Sequence, residues 1–199
     1  PLKEERMTDK DKKSITDSVK FYSRIGLDFE PGTKQQYSGV GAFNVLAKII
    51  ETVTGDSYQN FLKKEIFEPC GMANTTFIPS REQWASMIAM HNNVDGKNCV
   101  GETAEDRVFA DFPCTNYLGG AGLVSTLDDY LKFATMLLNN GKTSAKRIVS
   151  EKTFNLLHTP FVSEDIMPGS ERWGLGVRVI VGEDYETLPV GAFGWSGAF

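Results

Sequence analysis

The spacing of apolar residues changes along this 199-residue chain, and that change restricts the fold more than any other sequence feature. Between residues 42 and 53, and again between 127 and 138, apolar residues recur at the three- and four-residue spacing of an amphipathic helix. The run from Trp173 to Val181 instead has a period of two, which is typical of a half-buried strand. Because helices come first and strands last, the sequence predicts an α+β fold rather than alternating βαβ units.

Capping residues predict where the helices begin and end. Gly55 is expected to end the first long helix, and Ser57 to cap a second helix that Pro69 closes. Ser125 or Thr126 is expected to cap the later helix. The buried stripe of that later helix is predicted to contain Leu127, Tyr130, Leu131, Ala134, Leu137 and Leu138.

The last part of the chain is predicted to form a β-hairpin. The run 173–181 and the segment "VGAFGWSGAF" are joined by "GEDYETLP", a connection that suits two antiparallel strands. We therefore expect one partial domain over residues 1–199, in which 1–160 form mainly a helical lobe and 161–199 a C-terminal β-hairpin.

Composition excludes several classes of function. A hydrophobic share of 41% and a net charge of −5 suit an ordinary globular protein, and give no reason to expect nucleic acid or an anionic membrane as partner. No apolar run approaches the roughly 20 residues that cross a bilayer. Three widely spaced cysteines and two histidines match no metal-ligand spacing, so neither metal nor cofactor is expected.

The N-terminus leaves the cellular compartment open. The first residues carry basic charges without an apolar segment, so they are not expected to be a signal peptide. They also lack an initiator methionine, and we expect the chain to be a piece of a longer protein.

Two short motifs give only weak evidence of a catalytic or phosphate-binding site. "GWSGA" at 194–198 nearly spells the GxSxG nucleophile elbow, but its last glycine is replaced by Ala198, and no acid or histidine follows. The glycines at 39, 41, 119, 120 and 122 form no phosphate-binding motif, so we interpret them as turn and close-packing glycines.

Several segments together carry a more specific signal. A proline-glycine turn precedes "YSG" at 37–39, an amphipathic helix and a threonine-glycine stop follow, and "GGAGLVST" later approaches a capped helix. "WSG" then stands at 195–197, near the end of the chain. In order and spacing these segments resemble the serine β-lactamase-like family, which includes class C β-lactamases, DD-peptidases and family VIII carboxylesterases. The resemblance runs from about Phe29 onward and implies a β-lactamase/transpeptidase-like fold, a helical lobe with part of the antiparallel sheet.

The resemblance assigns roles to named residues. Tyr37 would be the catalytic acid-base, aimed at a serine nucleophile. A phenol in water ionises only at about pH 10, so it needs a cationic neighbour, which in this family is the motif lysine. Gly39, Trp195, Ser196 and Gly197 would line the substrate pocket, and the amide of Ala198 would be an oxyanion donor. The alternatives are that Tyr37 is a core aromatic residue and that Trp195 is a packing residue of a strand.

Two departures from the family pattern bear on function. Gly39 replaces the family's asparagine, and no serine in the chain has lysine three residues later, so the nucleophile is expected outside this chain. Trp195-Ser196-Gly197 also replaces the cationic form of the third motif, which favours an ester over a β-lactam or D-alanyl peptide. The expected function is a serine hydrolase that forms an acyl-enzyme on a small ester or amide. A non-catalytic binding module and a helical interaction domain are the alternatives.

The resemblance also makes a prediction about association. In the family, further strands cover the hairpin. Without them, Trp173, Leu175, Val177 and Val179 would form a bare apolar face with an unpaired edge. We therefore expect self-association, or a companion segment packed on that face.

Overall fold

The computed structural model describes residues 14–38, 41–89, 91–100, 117–185 and 187–197. The chain divides into two units. The first, here called the helical unit, comprises Leu2–Gly26 and Ser38–Leu131. The second, here called the sheet unit, comprises Leu27–Tyr37 and Lys132–Phe199. The predicted division at residue 160 stays a prediction.

The helical unit contains five helices, a short hairpin and the first turns of a sixth helix among its described residues. In chain order these are α1 (Ile15–Tyr22), α2 (Gly41–Thr54), α3 (Tyr58–Leu62), a π-helical turn (Lys63–Phe67), α4 (Glu68–Cys70), α5 (Arg81–Ala85), β1 (His91–Val94), β2 (Lys97–Val100) and the start of α6 (Leu127–Leu138). Helix α1 packs against α2, and α2 contacts α3. Strands β1 and β2 form an antiparallel hairpin in which His91 pairs with Val100 and Val94 with Lys97.

Local capping explains where most of these helices begin and end. Ser57 Oγ accepts a hydrogen bond from the Asn60 amide at 3.2 Å, and Gly55 follows α2 in the left-handed conformation, as predicted. The prediction that Pro69 closes the second helix was wrong. Helical structure continues through Pro69 to Cys70 and ends at Gly71, which adopts the left-handed conformation with a φ of +72°.

The core of the helical unit combines apolar side chains with a buried carboxylate. Its most buried apolar residues are Ile15, Ala47, Phe67, Met72, Phe77 and Trp84. Asp129, in the first turn of α6, is fully buried and accepts hydrogen bonds from the Asn74 amide at 2.7 Å and from Thr75 Oγ1 at 3.0 Å. Thr75 Oγ1 also lies 2.8 Å from Ser125 Oγ. The carboxylate thus ties the 74–76 segment to the start of α6.

This buried carboxylate leads to a stability prediction. In Asp129→Ala, the Asn74 amide and the Thr75 hydroxyl lose a charged acceptor, so the free energy of unfolding should fall by about 2–5 kcal/mol. Asp128→Ala is the matched control, because Asp128 is the exposed neighbour of Asp129 in the same helical turn. Urea denaturation of both variants checks the difference, and equal midpoints would contradict the assigned role.

The predicted buried stripe of α6 was wrong. Four of its six members are more than half exposed: Leu127 at 74%, Tyr130 at 60%, Leu131 at 53% and Leu138 at 84%. The buried positions are instead Asp129 and Met136, seven residues apart on another face. Asp129 is buried together with its hydrogen-bond partners, an arrangement that periodicity could not indicate because it assigns polar residues to the solvent side.

The sheet unit joins helix α7 to a three-stranded antiparallel sheet. Helix α7 (Glu151–Leu157) begins at Ser150, whose Oγ accepts a hydrogen bond from the Thr153 amide at 3.0 Å. The strands are β3 (Glu171–Trp173), β4 (Arg178–Ile180) and β5 (Phe193–Gly194), in the order β3–β4–β5. Val179 and Ile180 are buried, with 3% and 1% of their surface exposed. Together with the helical unit, this sheet confirms the predicted α+β class.

The prediction of one continuous strand over 173–181 was wrong. The run folds back on itself, so that Trp173 pairs with Arg178 across a tight turn. Gly176 has a φ of +76°, and the Gly174 amide donates to the Val177 carbonyl at 2.8 Å. The glycines that produced the alternating pattern therefore make the turn. The antiparallel pairing across "GEDYETLP" was predicted correctly, as β4 with β5.

The predicted bare apolar face is found only in part. Leu175 is 50% exposed, but Val179 is buried, and Trp173 and Val177 are half-buried. Because the 173–181 run is a hairpin, alternate residues do not share one open face. Self-association stays a prediction.

Candidate active site

Tyr37 contacts the third-motif tryptophan although most of the chain separates them in sequence. The ring centroids of Tyr37 and Trp195 lie 5.5 Å apart, with planes tilted by 34°. Tyr37 is 57% exposed and Trp195 45% exposed. Tyr37 is therefore not the core aromatic residue of the alternative interpretation. Both residues belong to the sheet unit.

A second tryptophan supports the first from within the sheet. The ring centroid of Trp173, at the end of β3, lies 4.6 Å from that of Trp195. Trp173 is half-buried, and its Nε1 is buried without a hydrogen-bond partner in the described part of the chain. The alternating apolar pattern assigned Trp173 only to a strand. In the sequence, Trp173 stands out only as the first aromatic residue of the alternating run. That position does not indicate a contact between Trp173 and Trp195.

Of the other predicted site residues, the structure describes only Ser196 and Gly197. Ser196 and Gly197 are exposed and follow β5, which ends at Gly194, so the motif does not lie within the strand as expected. In the antiparallel register, Trp195 would face Val177, which belongs to the turn between β3 and β4 and offers no strand to pair with. Gly39 and Ala198 lie outside the described residues.

Short-range hydrogen bonds and ring packing flank the two motifs. Ser38, directly after Tyr37, accepts a hydrogen bond through its Oγ from the Ala42 amide at 2.9 Å. On the other side, Phe193 of β5 stacks on the His158 ring with centroids 5.2 Å apart. Since Trp195 follows Phe193 by two residues, this packing anchors the segment that carries the motif.

The glycine-rich segment packs closely against α2 within the helical unit. The Gly119 amide donates to Oδ1 of the fully buried Asn44 at 2.8 Å. A β-carbon at Gly119 would lie 2.0 Å from the Phe43 carbonyl oxygen. The interpretation of Gly119 as a close-packing glycine is confirmed.

A cavity of about 590 Å³ lies elsewhere in the sheet unit. Arg172, only 7% exposed, lines it and donates to the carbonyl oxygens of Gly169 at 2.5 Å and Glu171 at 2.8 Å. Ser170 Oγ donates to the carboxylate of Asp184, and this hydrogen bond holds the pKa of Asp184 below its usual range. Neither Tyr37 nor Trp195 lines this cavity, so we assign it no part in the candidate site.

In the described ranges, no three His, Cys, Asp or Glu side chains cluster as metal ligands would. None of the described helices has the length and apolar character of a bilayer span.

Comparison with known proteins decides the family. The family model described as Beta-lactamase matches residues 1–199 of this sequence. The chain belongs to the beta-lactamase family. The resemblance in order and spacing of the tyrosine and tryptophan motifs is thereby confirmed at the level of the family.

Curated relatives that are similar to this chain include an amidase and a putative carboxypeptidase. The N-acetylmuramyl-L-alanine amidase of Bacillus subtilis (strain 168) is 26% identical over 161 residues, which are 74% of this chain and 36% of that protein. The putative D-alanyl-D-alanine carboxypeptidase of Escherichia coli (strain K12) is 26% identical over 176 residues, 81% of this chain and 38% of that protein. The chain thus spans less than half the length of these two relatives.

Solved structures share the fold at lower identity. The octameric penicillin-binding protein homologue from Pyrococcus abyssi has a TM-score of 0.63 at 21% identity, covering 89% of this chain and 37% of that one. Unliganded simvastatin synthase from Aspergillus terreus has a TM-score of 0.66 at 18% identity, covering 89% and 49%. These likenesses confirm the β-lactamase/transpeptidase-like fold.

Proposed function

We propose that this chain is part of a serine hydrolase that works through an acyl-enzyme, with an ester as the favoured substrate. The contact between Tyr37 and Trp195 is the observation that carries the proposal, because it brings the acid-base candidate against the third motif. Family membership supports it further, since the family model matches residues 1–199. Tyr37 is also 57% exposed, so the described residues do not enclose its side chain.

The proposed reaction uses a serine that lies outside this chain. Its oxygen attacks the ester carbonyl carbon while its proton passes to Oη of Tyr37 in its phenolate form, which the motif lysine would stabilise as the cationic neighbour. Tyr37 then gives that proton to the departing alkoxide, which leaves as an alcohol. Water afterwards hydrolyses the acyl-serine, releasing the acid and restoring the serine. The amide of Ala198 would be one of two donors to the oxyanion.

The preference for an ester follows from the pocket residues. Gly39 offers no side-chain amide to hold the amide group of a peptide, and Trp195-Ser196-Gly197 offers no cation to hold a carboxylate. A penicillin or a D-alanyl peptide carries both of these groups, whereas a simple ester needs neither. The wall formed by Tyr37 and Trp195 is instead apolar over its ring faces.

Covalent labelling tests the proposal. The 199-residue chain and the full-length protein are each incubated with a fluorophosphonate and examined by mass spectrometry. We expect a stoichiometric adduct on a serine of the full-length protein, and none on the 199-residue chain. An adduct on the short chain would contradict the placement of the nucleophile, and an unlabelled full-length protein would favour the non-catalytic binding module.

Substrate assays on the full-length protein test the finer part of the proposal. We expect turnover of p-nitrophenyl esters of short acids, with slower turnover of penicillin and of a D-alanyl-D-alanine peptide. A higher kcat/KM for the peptide than for the esters would contradict the preference for an ester.

A further inference from the structure

Three aromatic side chains form a continuous surface in the sheet unit, here called the aromatic shelf: Tyr37, Trp195 and Trp173. Trp195 lies in the middle, 5.5 Å from the Tyr37 centroid and 4.6 Å from that of Trp173. Trp173 is half-buried and forms the base of the shelf. Tyr37 and Trp195 remain 57% and 45% exposed after contacting each other, so each retains ring surface for a ligand.

The exposure of these two rings points to a planar apolar ligand. Large aromatic side chains bury up to about 150–250 Å² each when covered, and neighbouring exposed rings mark binding surfaces on soluble proteins. Aromatic groups bind other rings in offset or tilted arrangements that a saturated ring of equal size cannot reproduce. The shelf therefore suits an aromatic ring better than an alkyl chain.

The position of Tyr37 indicates which part of the substrate would meet the shelf. This step rests on the proposed function, in which Tyr37 Oη gives its proton to the departing alkoxide. The group bonded to that alkoxide oxygen must then lie beside the Tyr37 ring, and hence beside Trp195. We propose that the aromatic shelf selects esters of aromatic alcohols of the benzyl type, with the ring of the leaving group against Tyr37 and Trp195.

Trp173 acts in this proposal as a positioning residue. Its indole ring lies against Trp195, while its Nε1 is buried and has no acceptor among the residues that the structure describes. The ring face, rather than the N–H group, is therefore the part that supports Trp195. Trp173→Phe keeps an aromatic face and should retain most of the selectivity, whereas Trp173→Ala should lose it.

A matched pair of substrates tests the shelf in the full-length protein. Benzyl acetate and cyclohexylmethyl acetate have leaving groups of similar size and differ in aromatic character. We expect a kcat/KM for benzyl acetate higher by roughly 2- to 10-fold, the range of aromatic pair interactions, expressed mainly in KM. Trp195→Leu should remove this preference, while Tyr130→Leu, which changes an exposed tyrosine of the helical unit, should keep it.

Binding of unreactive analogues separates the shelf from the chemistry. The ketones 4-phenylbutan-2-one and 4-cyclohexylbutan-2-one replace the ester oxygen with CH₂, and their binding is followed by tryptophan fluorescence. Tighter binding of the phenyl ketone that is lost in Trp195→Leu would support the shelf. If neither ester were hydrolysed in that case, only the proposed function would be overturned. Ester hydrolysis with no preference in either assay would overturn the shelf and leave the function standing. A phenyl preference that persists in Trp195→Leu, or no binding of either ketone, would also overturn the shelf.

Discussion

Tyr37→Phe is expected to lower the kcat of the full-length protein about 100- to 10,000-fold on an ester such as p-nitrophenyl acetate. That range is the usual effect of removing a positioned acid-base group. The substitution deletes only the phenolic oxygen and keeps the ring that contacts Trp195 at 5.5 Å. KM should therefore change much less than kcat. Steady-state kinetics on the purified variant measures both quantities.

Folding must be separated from chemistry in this experiment. Tyr37 is 57% exposed, so Tyr37→Phe should change the free energy of unfolding by no more than about 0.5 kcal/mol. Tyr130→Phe is the matched control, because Tyr130 is 60% exposed and lies on α6, outside the proposed site. That control should keep the wild-type kcat. An unchanged kcat in Tyr37→Phe would mean that Tyr37 is structural, and the proposed mechanism would be abandoned.

Gly119→Ala is expected to destabilise the chain by about 3 kcal/mol or more. The added β-carbon would lie 2.0 Å from the Phe43 carbonyl oxygen and 2.5 Å from its carbon, both backbone atoms that no rotamer change can move. The 119 segment cannot withdraw without breaking the 2.8 Å hydrogen bond to Asn44, which is fully buried. Loss of that bond would leave the buried Asn44 Oδ1 without its donor.

A second glycine provides the comparison for this effect. A β-carbon at Gly26 would meet no atom within 4 Å, so Gly26→Ala should change the free energy of unfolding by about 0.5 kcal/mol at most. Urea denaturation followed by circular dichroism compares the two variants. If Gly119→Ala kept the midpoint of Gly26→Ala, the close approach of the glycine-rich segment to α2 would be disproved.

The helices illustrate what sequence patterns can predict. Ser57 begins a helix where expected, and Gly55 ends α2, because capping depends on atoms only three or four residues apart. Local patterns gave the wrong prediction of a single strand at 173–181, where glycines within a period-two pattern form a turn. Local patterns also gave the wrong buried face for α6, because the charged residue Asp129 is buried there.

The candidate site shows which contacts sequence patterns could not predict. The sequence pointed to Tyr37 and to Trp195-Ser196-Gly197 through the order of motifs, which is linear information. It did not indicate that Trp173 lies 4.6 Å from Trp195, or that Trp195 lies beyond the end of β5. Those facts depend on strand register and on where the β3–β4 turn falls.

The sequence by itself determined the α+β class, the main helix caps, the family and the residues proposed for chemistry. These depend on periodicity, on short-range hydrogen bonds and on the order of motifs, all of which are present in the linear chain. Only the tertiary structure decided that Asp129 is buried, that Gly119 contacts α2, and that two tryptophans and Tyr37 share one surface. The physical reason is that these contacts join residues far apart in sequence. Their free energies depend on packing and on buried polar partners, which no local pattern encodes.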